Sequence, residues 1–525
     1  MAFFEGRSLV QSFLSAIVGL VLVKVIYNIF FHPLASFPGP LLRKATRIPW
    51  TVSLLRNRSI YDIDELHRKY GPVVRTAPNE LSFLDANVWR DIMGGGNSDI
   101  PKWSGMYGVP RFLPPHIQNT TSKEHHRILR KALSPGFSDA SLRAQEPMIQ
   151  NHITALISRL RSGANYDEGT APPASSSSTQ GTVYNLEMWY RYVVFDVICD
   201  LALGESLDCI NSVTIHPWIK AMESAGGSFI ALIAINMYPT LAAIVDWLIG
   251  SSAQQMAKLM NNHIKPAVNR RLAQGDSRPD LVSPLIRLQN KAREAQSKDD
   301  ASRSGSSYNE EAALEELMAN SQVIIGAGAE TTATTLAAVT SLLLDNPSML
   351  ERVQKEVRGA FSTDGDITSE VVSKNLPYLC ACLDETMRIF PTTGAASLRM
   401  TDRVMNICGT VVPQDTVVGA WTWSLYRSKQ FWTDAEEFHP ERWLNEDPRY
   451  EGDSRELFKP FFTGSRDCIG QNLAIMELRL ILARMIYNFD MEFADADSRE
   501  WSKKQSHGFF VWMKTPLNVR LTPRP

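Results

Sequence analysis

Residues 461–470 read Phe-Phe-Thr-Gly-Ser-Arg-Asp-Cys-Ile-Gly. One thiol, Cys468, lies between Gly464 and Gly470, with Arg466 two residues before it and Phe461 seven before it. A thiolate binds soft transition metals strongly. Glycines let the backbone approach a bulky planar ligand closely and tolerate φ > 0. An Arg fork pairs with a carboxylate. Thiolate, close backbone and carboxylate partner together describe a pocket for haem, with its iron and two propionates. A lone cysteine in a Gly-rich turn is more simply a buried core residue. The complete F-x-x-G-x-R-x-C-x-G spacing sets this loop apart.

That spacing resembles the haem-binding loop of the cytochrome P450 family, in which a cysteine thiolate ligates the iron of haem b. The resemblance implies Cys468 as the metal ligand, with Arg466, Phe461 and Gly464 as further cofactor-binding residues. Three more motifs follow the family's order. Ala327-Gly328-Ala329-Glu330-Thr331-Thr332 is similar to its oxygen-activating helix segment. An acid beside a hydroxyl can hold a water and pass protons along it, so Glu330 and Thr331 are the candidate catalytic pair. Without the loop they would read as a solvated acid and a Thr capping its own turn. Glu385-Thr386-Met387-Arg388 puts an acid and a base on one helix face. With Pro440-Glu441-Arg442-Trp443 it resembles the family's buried Glu–Arg–Arg network, a structural role for Glu385, Arg388 and Arg442. By the same resemblance Arg399 is a propionate partner. His126 and Arg130, one helical turn apart, resemble the family's W/H-x-x-x-R pair, with His where Trp is common; both would donate to a propionate. Taken alone, His125, His126 and Arg127 would be a solvated basic face. Arg127 and Lys131 could also belong to a basic patch for a redox partner.

The elements that position these residues follow from pattern. Glu310, Glu311, Glu315 and Glu316 suit the positive end of a helix dipole, and Asn346-Pro347 closes the segment, so one long helix is expected over about 311–344. Its small residues would let a flat group lie against it, and its Gly–Thr cluster could loosen the helical ladder. Val323-Ile324-Ile325-Gly326-Ala327-Gly328 mimics a dinucleotide loop, but Thr331 stands at the third glycine position, so that match fails. Polar tracts at 162–182 and 295–309 read as surface loops. Motifs fall on both sides of each, so they do not divide domains.

The chain has 525 residues, 44% hydrophobic and 21% charged, an ordinary globular composition. A net charge of −2 gives no reason to expect nucleic acid. The six cysteines are scattered, with no C-x-x-C pair, so neither a disulfide scaffold nor a structural zinc site is expected. Leu9 to Phe31 is largely apolar, with Lys24 and Asn28 near its C-terminal end, about the length that spans a bilayer. No small-residue cleavage site follows, which favours an anchor over a signal peptide. Pro33, Phe37-Pro38-Gly39-Pro40, Arg43, Lys44 and Arg47 come next. Prolines suit a stiff neck, and the cations place the following chain in the cytosol. The sequons at Asn57 and Asn119 would then stay unmodified.

These readings give three segments: an anchor at 1–31, a neck at 32–50 and a haem domain at 51–525. The expected fold is mainly α with small β-sheets, the cytochrome P450 fold. The family implies a monooxygenase in the endoplasmic reticulum membrane, single-pass, with a cytosolic catalytic domain. It would insert one atom of O2 into a lipophilic small molecule by hydroxylation or epoxidation. Electrons would come from NADPH through a separate cytochrome P450 reductase, with cytochrome b5 as an accessory donor. Substrate-contacting regions are expected at 98–121, 207–249, 392–397 and 508–510. The Phe-His-Pro-Leu…Phe-Pro-Gly-Pro neck is similar to fungal members of secondary metabolism, whose substrates include polyketides, terpenoids and alkaloids. Two other readings remain: a haem-thiolate isomerase or dehydratase needing no O2, and a non-catalytic haem or lipid binder.

Overall fold

The computed structural model describes residues 2–94, 99–108, 114–163, 181–275, 278–299, 310–507 and 512–525. Helices dominate, and four small sheets sit at the margins. The longest helix is Glu310–Asp345. It packs along the Leu186–Leu203 helix and against the Pro377–Ile389 and Gln471–Asn488 helices. Residues Ala329, Ala333, Leu336, Ala337, Val339 and Leu343 are buried at this junction. The Glu310–Asp345 helix is long and apolar enough to cross a membrane, but two-thirds of its apolar window is buried, as in the core helix of a folded domain.

A four-stranded sheet runs in the order Val73–Ala77, Glu80–Phe83, Val417–Gly419, Arg399–Met400. Glu80–Phe83 and Val417–Gly419 are parallel, and the other pairs are antiparallel. Its side chains share a second core with Trp89, Ile92, Leu425 and Trp432. Thr182–Asn185, Asn518–Pro523 and Phe489–Phe493 form a three-stranded sheet. Two antiparallel strand pairs complete the set among the described residues, Met405–Ile407 with Thr410–Val412 and Ser506–His507 with Trp512–Met513. The cysteine loop lies between the second core and the long helices.

The N-terminal helix is Ala2–Ile26, continued by a π-helical turn at Tyr27–Phe31. Val18, Leu20, Val21, Leu22, Phe30 and Phe31 are exposed. Asn28 is buried, and its amide donates to the Ala45 carbonyl at 2.8 Å. The last turn of the apolar stretch is therefore tied to the body. The neck is packed too: Arg75 N–H donates to the Pro38 carbonyl at 2.8 Å, and a Cβ on Gly39 would lie 2.4 Å from the Arg75 carbonyl oxygen. Two of the three cations after the span are committed to the body. Arg47 pairs with Glu80 at 2.5 Å and lies over the Trp103 ring, while buried Arg43 faces Asp62 and the Thr76 carbonyl. Their burial gives them a structural reason to be there that the topology argument did not weigh.

The polar tract expected to be a loop over 295–309 is helical at its start, because the Ser283–Asp299 helix runs into it. The core of the other tract, 164–180, lies outside the described residues, as do 300–309 and the expected substrate region 508–510. Asn119 is buried, and its side-chain oxygen accepts from His116 N–H at 2.7 Å. The Asn119 side chain thus has a structural role in the fold.

Candidate active site

The cysteine loop is shaped by its own backbone. Cys468 N–H donates to the Phe461 carbonyl at 2.9 Å, closing the turn that Phe461 and Gly464 begin. Gly464 has φ +86°, the left-handed region where glycine carries no Cβ penalty. Phe462 also has positive φ, and its ring meets Trp89 edge-on at 5.8 Å, which fixes the loop to the second core. The Gln471–Asn488 helix starts three residues after Cys468 with Gly470 as its N-cap. Cys468 sits deep in the molecule yet keeps accessible surface, as a side chain on the wall of an interior space does. Burial pushes its thiol up, while the Gly470 N–H and Arg130 pull it back. A bound metal would favour the thiolate outright. Among the described residues no cluster of three or more His, Cys, Asp or Glu could hold a metal by itself.

Cations gather beside this loop. Arg466 donates to the Thr120 carbonyl at 2.7 Å. Arg399, on the sheet's edge strand, is 4% exposed, and its Nε and Nη1 have no hydrogen-bond partner. Lys102 forms an isolated β-bridge with Arg399, donates to the Gln118 carbonyl and lies 4.5 Å from the Tyr107 ring centroid. His126 is buried on the Lys123–Leu133 helix. Burial and then mutual repulsion hold these groups below their ordinary values. Burial lowers Lys102 well below the usual amine, with Arg399 and Arg466 adding to it. Arg466 falls to about 10 through burial and Arg399. His126 falls to about 4 through burial, then Arg466, Lys102, Arg130 and Arg399. Such a cluster is costly unless anions neutralise it. A planar ligand with two carboxylates would answer that need, and the two buried Arg399 nitrogens without a hydrogen-bond partner are the plainest opening for it.

Arg130 differs from expectation. Its guanidinium pairs with Asp467 at 2.7 Å and donates to the Asp467 carbonyl at 2.7 Å. In this arrangement it clamps the residue before Cys468 while still facing His126 as a neighbouring charge. Arg127 pairs with Glu124 at 2.6 Å on the surface. Lys102 escaped the sequence reading, because nothing local marks Pro101-Lys102-Trp103. Its signal is the bridge to Arg399, 297 positions away.

On the long helix, Ala327 is exposed although its neighbours are largely buried, and Thr331 is partly exposed one turn on. The Thr331 hydroxyl donates back to the Ala327 carbonyl at 2.7 Å; Thr334 and Thr335 do the same to Glu330 and Thr331. These bonds run inside an unbroken helix. Gly328 serves another purpose than the one expected. A Cβ there would lie 3.1 Å from Ile198, so its smallness lets the Leu186–Leu203 helix come close. The Glu330 carboxylate pairs with Lys514 and faces Arg191 at 3.8 Å. Behind the helix, Glu477 is fully buried beside Thr332. Neither Glu477 Oε1 nor Thr332 Oγ1 has a well-formed hydrogen bond, and burial pushes the carboxyl up to about 8.

Glu385, Arg388 and Arg442 come together with no exposed surface. Glu385 pairs with Arg388 at 2.7 Å and with Arg442 at 3.0 Å. His439 N–H and Trp443 Nε1 also donate to Glu385, at 2.9 and 3.0 Å. Burial alone would raise this carboxyl, but Arg388 and then Arg442 hold it below its ordinary value. Arg388 donates to the carbonyls of Tyr426, Ala435 and Glu437. Asp453, which local spacing did not reveal, completes the set by pairing with Arg442.

Comparison with known proteins agrees with this geometry. The sequence pattern described as Cytochrome P450 matches residues 42–521. The chain is 37% identical over 524 residues to cytochrome P450 monooxygenase tpeC of Talaromyces stipitatus, covering 97% of this chain and 94% of that one. It is 35% identical to cytochrome P450 monooxygenase 1 of Neocamarosporium betae (97% and 96% covered) and 33% identical to cytochrome P450 monooxygenase prhB of Penicillium brasilianum (97% and 98% covered). A thiol on an interior wall, a buried cluster of cations and near-full-length similarity to named monooxygenases lead to one conclusion: the chain belongs to the cytochrome P450 family, monooxygenases whose haem iron is held by a cysteine thiolate.

Proposed function

We propose that Cys468 is the haem ligand of this monooxygenase, and that Arg399, Arg466, Lys102 and His126 receive the propionates. Arg130 acts through Asp467 to fix the loop, while Phe461 and Gly464 set its turn. Bound through a thiolate, haem supplies the oxygen chemistry, since the thiolate favours O–O cleavage. The protein's part is to hold the group, exclude water and deliver protons. Thr331 presents its hydroxyl on the accessible side of the long helix, and Glu330 is the neighbouring acid. The Glu385–Arg388–Arg442 network, with Asp453, holds the Pro377–Ile389 helix to the meander before the cysteine loop. The observation that carries this reading is the buried Arg399 guanidinium beside Lys102, whose Nε and Nη1 have no hydrogen-bond partner among the described residues.

The substrate is a lipophilic small molecule of secondary metabolism, oxidised by hydroxylation or epoxidation with electrons from NADPH through a separate reductase and, as an accessory, cytochrome b5. The helix at Pro239–Ala273 supports a membrane setting. Leu241, Ile244 and Leu248 on it are exposed, and Trp247 is 81% exposed. Tyr238 just before it hydrogen-bonds Thr51 at 2.7 Å on the Ile48–Leu55 helix, where Ile48, Val52 and Leu55 are exposed. Exposed apolar side chains also lie along the N-terminal helix, and such surfaces suit a bilayer. A single-pass anchor over 1–31 in the endoplasmic reticulum, with the neck at 32–50 and the haem domain at 51–525 in the cytosol, fits those surfaces. The reduced, CO-treated full-length protein should show the red-shifted thiolate band, and Cys468→Ala should abolish it. A variant that kept the band would overturn the ligand assignment. Lipophilic compounds that shift the Soret band, followed by product analysis with reductase, O2 and NADPH, would identify the substrate. Product formed without them would overturn the oxygenase reading.

A further inference from the structure

Of the three cations after the apolar N-terminal stretch, Arg43 and Arg47 face Asp62 and Glu80, whereas Lys44 faces other cations. Lys44 Nζ donates to the Ala35 carbonyl at 3.2 Å, and Ala35 N–H donates to the His32 carbonyl at 2.8 Å. The His32 ring meets the Tyr27 ring edge-on at 5.9 Å, and Lys24 Nζ lies 5.3 Å from that Tyr27 centroid. Arg75, on the edge strand Val73–Ala77, ties down the same turn through its N–H to the Pro38 carbonyl. Its Nε and Nη2 donate to the Pro78 carbonyl at 3.0 and 2.6 Å, while its buried Nη1 has no hydrogen-bond partner among the described residues. Lys24, His32, Lys44 and Arg75 thus surround one turn of the neck. The charges that bear on them are one another. Burial, then Arg75 and Lys24, push His32 down to about 4; burial and Arg75 lower Lys44; burial brings Arg75 to about 10.

What lies around these cations narrows the anion that suits them. Phe30, Phe31, Leu41 and Leu42 are 68–72% exposed. Phe31 directly precedes His32, and Leu41 and Leu42 open the short helix that carries Lys44. Gathered cations without a carboxylate draw an anion, and clustered exposed apolar side chains draw an apolar partner. A soluble anion would answer the charge and leave the apolar rim in water. A glycerophospholipid carries a phosphate and acyl chains in one molecule and answers both. Lys24 can run its stem along the apolar helix and keep its ammonium at the polar end. Basic residues beside a membrane span are attracted to anionic headgroups, and Arg pairs well with phosphate.

We propose that Lys24, His32, Lys44 and Arg75 form a binding site for the phosphate of an anionic glycerophospholipid, with its acyl chains along Phe30, Phe31, Leu41 and Leu42. The lipid fixes the neck, and through Arg75 the edge of the four-stranded sheet, to the membrane surface. This rests on the membrane-anchored reading, and the experiment separates the two claims. Full-length, haem-loaded protein is taken from detergent micelles holding equal amounts of dioleoyl phosphatidate and dioleoyl phosphatidylcholine, and native mass spectra give the ratio of the two lipids retained. The wild type should retain phosphatidate in excess. Lys44→Gln should cut that excess about fivefold, the effect of one cation near an anionic surface, and Lys44→Arg should keep it. Arg75→Gln should lower it as well. The reduced CO band reports that each variant is folded, and Lys24→Gln, at an exposed residue, guards against Arg75→Gln failing to assemble. Lys374→Gln, at a surface cation paired with Glu370, should leave the ratio unchanged. Equal retention of the two lipids by the wild type, an unmoved excess in folded Lys44→Gln, or an equal drop in Lys374→Gln overturns the site. Displacement of phosphatidate by an equal concentration of inorganic phosphate overturns the lipid as its ligand. Separately, the wild type should float with phosphatidylcholine vesicles. A chain left in solution overturns the membrane reading itself, whether or not phosphatidate is retained in micelles.

Discussion

Replacing Glu477 with Gln tests the electrostatics beneath the long helix. Glu477 is fully buried beside Thr332, and burial lifts its carboxyl from 4.5 to about 8. The folded protein therefore keeps a proton that the unfolded chain gives up near 4.5. The sign follows from that order. The group's contribution is fully present below pH 4.5 and is lost as pH rises through 8. Each unit between those limits is worth about 1.4 kcal/mol, so between pH 6 and pH 8 about 2–3 kcal/mol is at stake. Gln does not titrate, so the variant should gain on the wild type by that amount over the interval. Any fixed cost of fitting an amide is independent of pH and shifts the offset, not the slope. Unfolding entropy of about 2.1 cal/mol/K per residue over 525 residues makes that gain about 2 °C in Tm. The assay is thermal unfolding of haem-loaded wild type and Glu477→Gln at one scan rate, followed by circular dichroism and Soret absorbance at pH 6, 7 and 8. Parallel curves would show that Glu477 is ionised in the folded state and that its burial is relieved by something other than protonation.

Three further outcomes follow from the same geometry. Arg399→Gln removes a buried charge with two unsatisfied nitrogens, so the haem-free protein should gain stability while haem retention falls, measured by thermal shift and by transfer of haem to apomyoglobin; unchanged retention would remove Arg399 from the cofactor site. Glu385→Ala leaves buried Arg388 without a carboxylate and Arg442 with Asp453 alone, and should cost about 3–5 kcal/mol, seen as loss of the CO band on expression, whereas an exposed control such as Glu370→Ala should change little. At Gly328, Ala places a Cβ 3.1 Å from the flexible end of Ile198, so crowding is offset by about 1 kcal/mol of helix propensity. Gly328→Val should cost about 1–3 kcal/mol through overpacking, and equal Tm values for Ala and Val would refute the close-packing account.

What the sequence revealed and what it hid divide along the range of the interactions. Cys468, Glu385 with Arg388, and the long helix were legible because their spacing is local: a loop of ten residues, an i,i+3 pair, a run of small and apolar residues between acidic and Asn-Pro ends. Lys102, Asp453 and Lys514 were not, because each is an unremarkable residue in its own neighbourhood. They acquire meaning only when folding brings them to Arg399, Arg442 and Glu330. Arg130 shows the same limit from the other side. Its motif spacing was present, yet the nearby Asp467 captures its guanidinium, a competition between acceptors that spacing cannot rank. Gly328 carries the argument further. A small residue on a helix has equal reason to face a ligand or another helix, and only the position of Ile198 decides. Charge follows a stricter rule, because a buried cation must find an anion. Arg399 feels the charge of Asp99, yet among the described residues it makes no ion pair with an acid and its Nε and Nη1 lack an acceptor, so a group bearing carboxylates would complete its surroundings.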